Sequence, residues 1–421
     1  MSVFKSRRIV ALTILAAFGC PLPAGAQVAL PPNLIKQQAE REKNPHPSPA
    51  ADQAAAPGGA RPATESQAAR IDSLRTAALS SDPAASSAAL RELRSMGQPA
   101  RKVLRDVVRQ LLTHDRAVIQ AAHGLPSPAR LRELSEKILA ERVAARANID
   151  ILAHDKTIQI AHDHYNALKP LREELEGSFE QTEAILFARS RRETLRTIWR
   201  DTAPDSTGFG EEEEAKLDAQ AQKTVALTAS EAASIPEFGT GEKPAEPILR
   251  DLWFYRACRR IEAFNAALKV CMTKEEYADF AAVNAYRRCL GVLPYEIDPR
   301  LVASARGHSK EMVDLKYFAH ESPVPANKTP WDRIHAAGYA GGSGENIAAG
   351  TMSGEQAFAM WFDSPGHHKN MASPGNIALG VGQVGDHWTQ NMGVDPRRLL
   401  GSAEDRKAAI AAAKLSAPKG S

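Results

Sequence analysis

The 421-residue sequence predicts an α+β protein: a long, mostly α-helical N-terminal part and a compact C-terminal module. Three observations predict it. Apolar residues recur at three-to-four spacing from about 69 to 201, the period of a buried helix face. Aromatics are uneven, with 16 of 24 Phe, Trp and Tyr between 251 and 395, and beyond about residue 272 the texture changes, with 12 of 27 glycines between 330 and 395. Two short strand-like runs, 377–382 and 388–392, flank Gly385-Asp386 and read as a hairpin.

From the N-terminus, Lys5, Arg7 and Arg8 precede an apolar run from Ile9 to Phe18, and Ala24-Gly25-Ala26 offers small residues of the kind a signal peptidase reads. The run is shorter than the roughly 20 apolar residues a bilayer span takes. Residues 1–26 therefore read as a signal peptide, and the protein as exported: periplasmic, cell-surface or secreted. A lipoprotein anchored at Cys20 is disfavoured, because bulky Phe18 stands in the lipidation box. Without those three basic residues Lys+Arg and Asp+Glu balance at 50 each, so the formal +3 gives no electrostatic footprint for nucleic acid. No later segment reaches the length of a transmembrane helix.

Residues 27–68 are rich in Pro, Ala and Gln with few large apolar side chains, the composition of a disordered tether. In the helical region 69–201, Leu90, Leu93, Val103, Leu104, Val107 and Val108 keep the helical spacing, broken by Gly97-Gln98-Pro99 where a hairpin would turn. The piece from 88 to 112 has the look of one HEAT-like pair, with no period repeating it. His154, Asp155, His162, Asp163 and His164 invite a metal reading, but on a helix His162 and His164 face different ways, and solvated positions are the better reading. Residues 202–247 read as a linker, 248–271 as an amphipathic helix packing on the module beyond, and 397–421 as a tail. Cys258, Cys271 and Cys289 allow one bridge, Cys258–Cys271, or three buried thiols; both readings stand.

Within 272–396, Glu275 to Leu290 reads as a helix. Asp298-Pro299 caps a second, Thr329-Pro330 starts a third that stops at Gly338, and a fourth runs from Ser353 to about Ser364-Pro365-Gly366. His308 reads as a packing or hydrogen-bonding residue and His335 and His368 as exposed. Asn346 reads as serving its own turn, and Trp331, Trp361 and Trp388 as core.

Four strings in this module, Tyr317-Phe318-Ala319-His320, Gly344-Glu345-Asn346-Ile347-Ala348, Trp361-Phe362-Asp363-Ser364-Pro365-Gly366-His367 and His387-Trp388-Thr389-Gln390, stand in the order and spacing of the CAP superfamily. That is the SCP/PR-1-like group of cysteine-rich secretory proteins, antigen 5 and pathogenesis-related 1 proteins, and Ser-Pro-Gly-His looks like its bacterial branch. The resemblance implies an α-β-α sandwich, with a small antiparallel sheet between helical layers and a shallow His/Glu cleft. It places His320, Glu345 and His387 as ligands of a divalent metal such as zinc, which neutral imidazoles and a carboxylate suit. The family's second glutamate falls on Ser364; Asp363 and His367 stand near enough to compensate, His367 the better, and Asn346 supports. The competing reading is a polar cluster that fixes the loops without metal.

Three functions follow as expectations. The resemblance favours a module at the cell envelope that binds a lipid, a cell-surface polymer or a protein. A metal-dependent, peptidase-like hydrolase is the alternative, although no Ser-His-Asp order or Cys-His pair supports nucleophilic catalysis. The third is a helical scaffold with the CAP domain as accessory.

Overall fold

The computed structural model describes residues 63–80, 82–121, 125–152, 155–202, 215, 216, 219 and 229–418. The signal-peptide reading, most of the tether, and His154 lie outside the described residues. Contacts divide the chain into two compact units, Met1–Thr113 with Glu193–Ser206, and His114–Arg192 with Thr207–Ser421.

In the first unit, α1 (Ala63–Ala78) begins inside the segment read as tether, and α2 (Pro83–Ser95) is capped by Asp82, whose carboxylate accepts from Ala84 N and Ala85 N. The chain reverses at Gly97, where φ is +65°, and enters α3 (Arg101–Ala121). The turn and both helices fall where the Gly-Gln-Pro break places them. Leu90, Leu93, Leu104, Val107, Val108 and Leu111 are buried as their spacing requires.

The second unit takes in α4 (Pro128–Asp150), most of α5 (Asp155–Thr202) and the short α6 (Ala229–Ser234). Then come α7 (Pro247–Leu268), α8 (Lys274–Cys289), β1 (Glu296–Ile297), α9 (Pro299–Leu315) and α10 (Pro330–Ala336). After β2 (Gly342–Ala349) follow α11 (Gly354–Phe362), α12 (Pro365–Ala372), β3 (Ala378–Val384), β4 (His387–Gly393) and α13 (Ala403–Leu415). Thr273 with Glu276, and Thr329 with Asp332, form capping boxes at α8 and α10; Asp298 caps α9.

The four strands run in the order β1-β3-β4-β2. The sheet is mixed rather than antiparallel, because β1 pairs parallel to β3. A parallel neighbour needs a long crossover, and everything from α9 to α12 lies between these two strands. Side chains alternate across β4: Gln390 donates to Asp279 of α8, whereas Asn391 meets Ser304 of α9, so these helices cover opposite faces. This is the α-β-α layering. Gly380 and Gly382 let α9 lie against the strand; a methyl group at either would fall on the α9 backbone. The helix α7 packs on the module, with Asn265 donating to Tyr295 O at 2.8 Å and accepting from Ile297 N at 2.9 Å.

Several local readings are corrected. The fourth helix, α11, ends at Phe362, and Pro365 then opens a further helix, α12, which the sequence reading did not include, since proline suits a first turn. Residues 403–415, read as tail, form α13 under a Ser402–Asp405 capping box, with Ala409 and Ala413 fully buried. Trp361 and Trp388 are core, but Trp331 is 49% exposed at the start of α10. Cys258, Cys271 and Cys289 are free and buried, and burial pushes the first two thiols up to about 12.

Candidate functional site

The site is built around Glu345. Its position on β2 opposite Asn391 turns the carboxylate toward α9, where the side chain is only 2% exposed. A charge so placed needs partners, and it has several. Nη2 of Arg333 donates to both oxygens, at 2.9 and 2.8 Å. His320 Nδ1 stands 3.0 Å from Oε1. Asn391, its amide oriented by its neighbours, donates to Oε2 at 3.0 Å while its oxygen accepts from Ser304 and Ala305 N. His308 Nε2 is 3.8 Å from Oε1 and 3.2 Å from Ala319 O. Burial holds the His308 pKa below its ordinary value despite the carboxylate.

The chain between α9 and α10 carries His320 and is fastened at several points. Glu311, at the end of α9, accepts from Tyr317 at 2.6 Å, from Asn327 at 2.8 Å, and from Ser322. Burial alone would raise the Glu311 pKa, but the bonds from Ser322, Tyr317 and Asn327 outweigh it and hold the group low. Arg333 completes the fastening: Nη1 donates to Asn327 O at 2.8 Å and Nη2 to His320 O at 3.0 Å. His320 itself is 48% exposed. A carboxylate on Nδ1 fixes the proton there in the neutral ring and leaves Nε2 as an acceptor.

His367 lies on α12 with its ring 6.4 Å from that of His320; burial first, and then the repulsion the two rings would exert if both were protonated, lower its pKa. Asn346 does not serve its own turn. It is fully buried, donates to Gln390 Oε1 at 3.0 Å and His367 O at 3.2 Å, and accepts from Asn370 at 2.9 Å, thereby holding the helix that carries His367. His387 is not beside Glu345. It pairs with Ala349, four positions from Asn391 along β4, which is roughly 13 Å. Its Nδ1 bonds Asp386 at 2.8 Å and its ring meets Phe318 at 6.0 Å.

Asp363 turns away from the cleft to His162 of α5, 2.7 Å distant, and the Ser364 hydroxyl makes no cap bond at α12. His164 pairs with Glu141 and Asp163 with Gln159, so the 154–164 histidines and acids form no single site among the described residues. His335 is exposed as read, but His368 is fully buried. Its ring stands between Tyr286 OH at 2.6 Å and Phe362 O at 2.7 Å, and burial drives its pKa down to about 4.

The expected metal set of His320, Glu345 and His387 does not fit an ion. His387 is at the far end of the strand, and both Glu345 oxygens already receive Arg333. A dication bound there, about 4 Å from the guanidinium, would meet a repulsion on the order of 8 kcal/mol at an effective dielectric of 20. Among the described residues no three His, Cys, Asp or Glu side chains gather as a ligand set. Arg333 is the site residue that sequence reasoning missed. Nothing in its spacing from Glu345 marks it, since the two belong to different elements.

With this geometry in place, the decisive comparison is by sequence. Residues 280–392 match the Cysteine-rich secretory protein family, CAP. The chain carries a CAP domain of the bacterial type. The "Uncharacterized protein YkwD" of Bacillus subtilis is 40% identical over 110 residues, 25% of this chain and 42% of that one. The "Uncharacterized membrane protein YlbC" of the same species is 31% identical over 125 residues, 29% and 35% of the two chains. The chain thus spans less than half the length of these curated relatives. Among solved structures, an extracellular protein containing a SCP domain from Bacillus anthracis is 33% identical, with a TM-score of 0.27 over 28% of this chain and 40% of that one. An outer surface protein of Borrelia burgdorferi is 20% identical, with a TM-score of 0.26 over 29% and 94%. No helix among the described residues is long and apolar enough to cross a membrane. The CAP motifs include His320, Glu345, Asn346, His367 and His387. The family match does not extend to residues 63–270.

Proposed function

We propose that the chain is an exported binding module whose CAP cleft recognises a hydroxyl-rich polymer of the cell surface, without a catalytic step. The observation that carries this reading is the contact of half-exposed His320, through Nδ1, with the buried Glu345 carboxylate, which leaves Nε2 to accept from a ligand. An imidazole locked in one tautomer accepts a hydrogen bond from a ligand hydroxyl. Phe318, two residues earlier and 52% exposed, supplies the apolar face on which a sugar ring packs. Binding is favoured over hydrolysis because Glu345 is spent on Arg333, Asn391 and His320, so it is not free to activate water. No Ser, Thr or Cys bonds the outer nitrogen among the described residues. The basic and apolar N-terminal stretch supports export.

Co-sedimentation of the full chain with peptidoglycan sacculi and, separately, with phospholipid vesicles tests the reading. The chain pellets with sacculi, and His320→Ala and Phe318→Ala each weaken that binding about tenfold, equivalent to roughly 1.4 kcal/mol. Pelleting with vesicles alone, or sacculus binding indifferent to both variants, contradicts it.

A further inference from the structure

We infer that Arg333 is a built-in cation of the cleft, filling the structural and electrostatic place that a divalent ion would otherwise take beside Glu345. A metal in such a cleft would do two things: neutralise a buried carboxylate and draw together the segments that surround it. Arg333 does both. Its Nη2 reaches the two Glu345 oxygens and His320 O, and its Nη1 reaches Asn327 O and Lys328 O. One side chain, 5% exposed, therefore joins β2, the His320 loop and α10. The Thr329-Pro330 start of α10, with its Thr329–Asp332 capping box, sets where the guanidinium stands.

The groups around Glu345 make the substitution specific. His320 Nδ1 at 3.0 Å and His308 Nε2 at 3.8 Å crowd the same oxygen, Oε1. Imidazole and carboxylate are donor types that zinc takes, although no three such side chains gather as a ligand set among the described residues. What meets the Glu345 carboxylate instead is the Arg333 guanidinium, which presents a fixed planar array of donors. The cleft therefore keeps its shape in chelator, and the His320 tautomer is set by Glu345 alone. This holds whichever ligand the cleft takes.

Zinc ion titrated into the full-length chain, followed by calorimetry and by bound zinc after gel filtration, tests the inference. Wild type and His320→Ala, a half-exposed position, give superimposable isotherms, and EDTA leaves the wild-type Tm unchanged. Arg333→Met gains one equivalent of zinc at least tenfold tighter than any wild-type binding, and a second substitution, His320→Ala, removes it. Arg333→Lys, which keeps the charge, stays zinc-insensitive. A wild-type equivalent of zinc that His320→Ala abolishes overturns the inference. So does a folded Arg333→Met protein that takes up no zinc. Should Arg333→Met fail to fold, the wild-type, His320→Ala and Arg333→Lys titrations decide alone.

Discussion

Asp279 of α8 is fully buried beneath the sheet, where Gln390 Nε2 donates to its Oδ2 at 2.8 Å and its Oδ1 has no partner. Desolvation raises its pKa from 3.8 to about 8, against the smaller lowering effect of the Gln390 bond. In the folded protein the group therefore holds a proton that the unfolded chain releases near pH 4. A raised folded pKa contributes stability that is fully present below the unfolded value and is lost as pH rises through the folded one. Each pH unit in this window is worth 1.36 kcal/mol. From pH 5.5 to 8 that amounts to about 3.4 kcal/mol as a ceiling, and to roughly 2 kcal/mol once relaxation around the charge is allowed for. Asp279→Asn keeps the shape and the bond from Gln390 while removing the titration. Urea unfolding of wild type and variant at pH 5.5 and 8.5 isolates the effect, since every other titrating group cancels in the difference. The variant gains about 2 kcal/mol on wild type between the two pH values. Parallel pH dependence, or a gap that moves the other way, refutes the account of a buried neutral acid.

Other substitutions probe the frame of the site. Arg287 is fully buried, donates to Leu293, Met371, Ser373 and Asn376 carbonyls at 2.8–3.0 Å, and stacks on Tyr295 at 3.7 Å. Arg287→Met strands those acceptors, and chemical denaturation shows a loss of about 3–5 kcal/mol, after allowing for the bonds not being additive. Gly380→Ala presses a methyl group into the α9 backbone and costs roughly 1–3 kcal/mol in the same assay. Ser402→Ala removes the α13 capping box for about 1 kcal/mol, seen as earlier proteolysis of the C-terminal helix.

What was legible in the sequence followed from local chemistry. Asp298-Pro299 and Thr329-Pro330 start helices because their side chains satisfy the first free amides nearby, and that signal spans only three or four residues. The hairpin of β3 and β4 was readable from two apolar runs about a Gly-Asp turn. The strand β2 was not, since its glycines, Ser343, Glu345 and Asn346 give neither alternation nor β-branched bulk until Ile347. The same Ser-Pro-Gly signal can end a helix or begin one, so α12 was lost. Glu345 and His320 came from motif order, but their partners did not. Arg333 and Asn391 reach the carboxylate from a different helix and strand, and Asp363 is taken by His162, 201 residues away, so pairing of this range leaves no local trace. His368 adjoins His367 in sequence yet faces the core, because one step along a helix turns a side chain about 100°.

The central claim is that His320 offers its outer nitrogen to the ligand. Long-range ¹H–¹⁵N NMR of the histidine rings, with and without soluble peptidoglycan fragments, measures it directly. The account predicts His320 protonated at Nδ1, with its Nε2 resonance moved by the fragments, while buried His368 stays put as an internal control. A proton on His320 Nε2, or a spectrum in which the fragments leave that nitrogen unmoved, would contradict it.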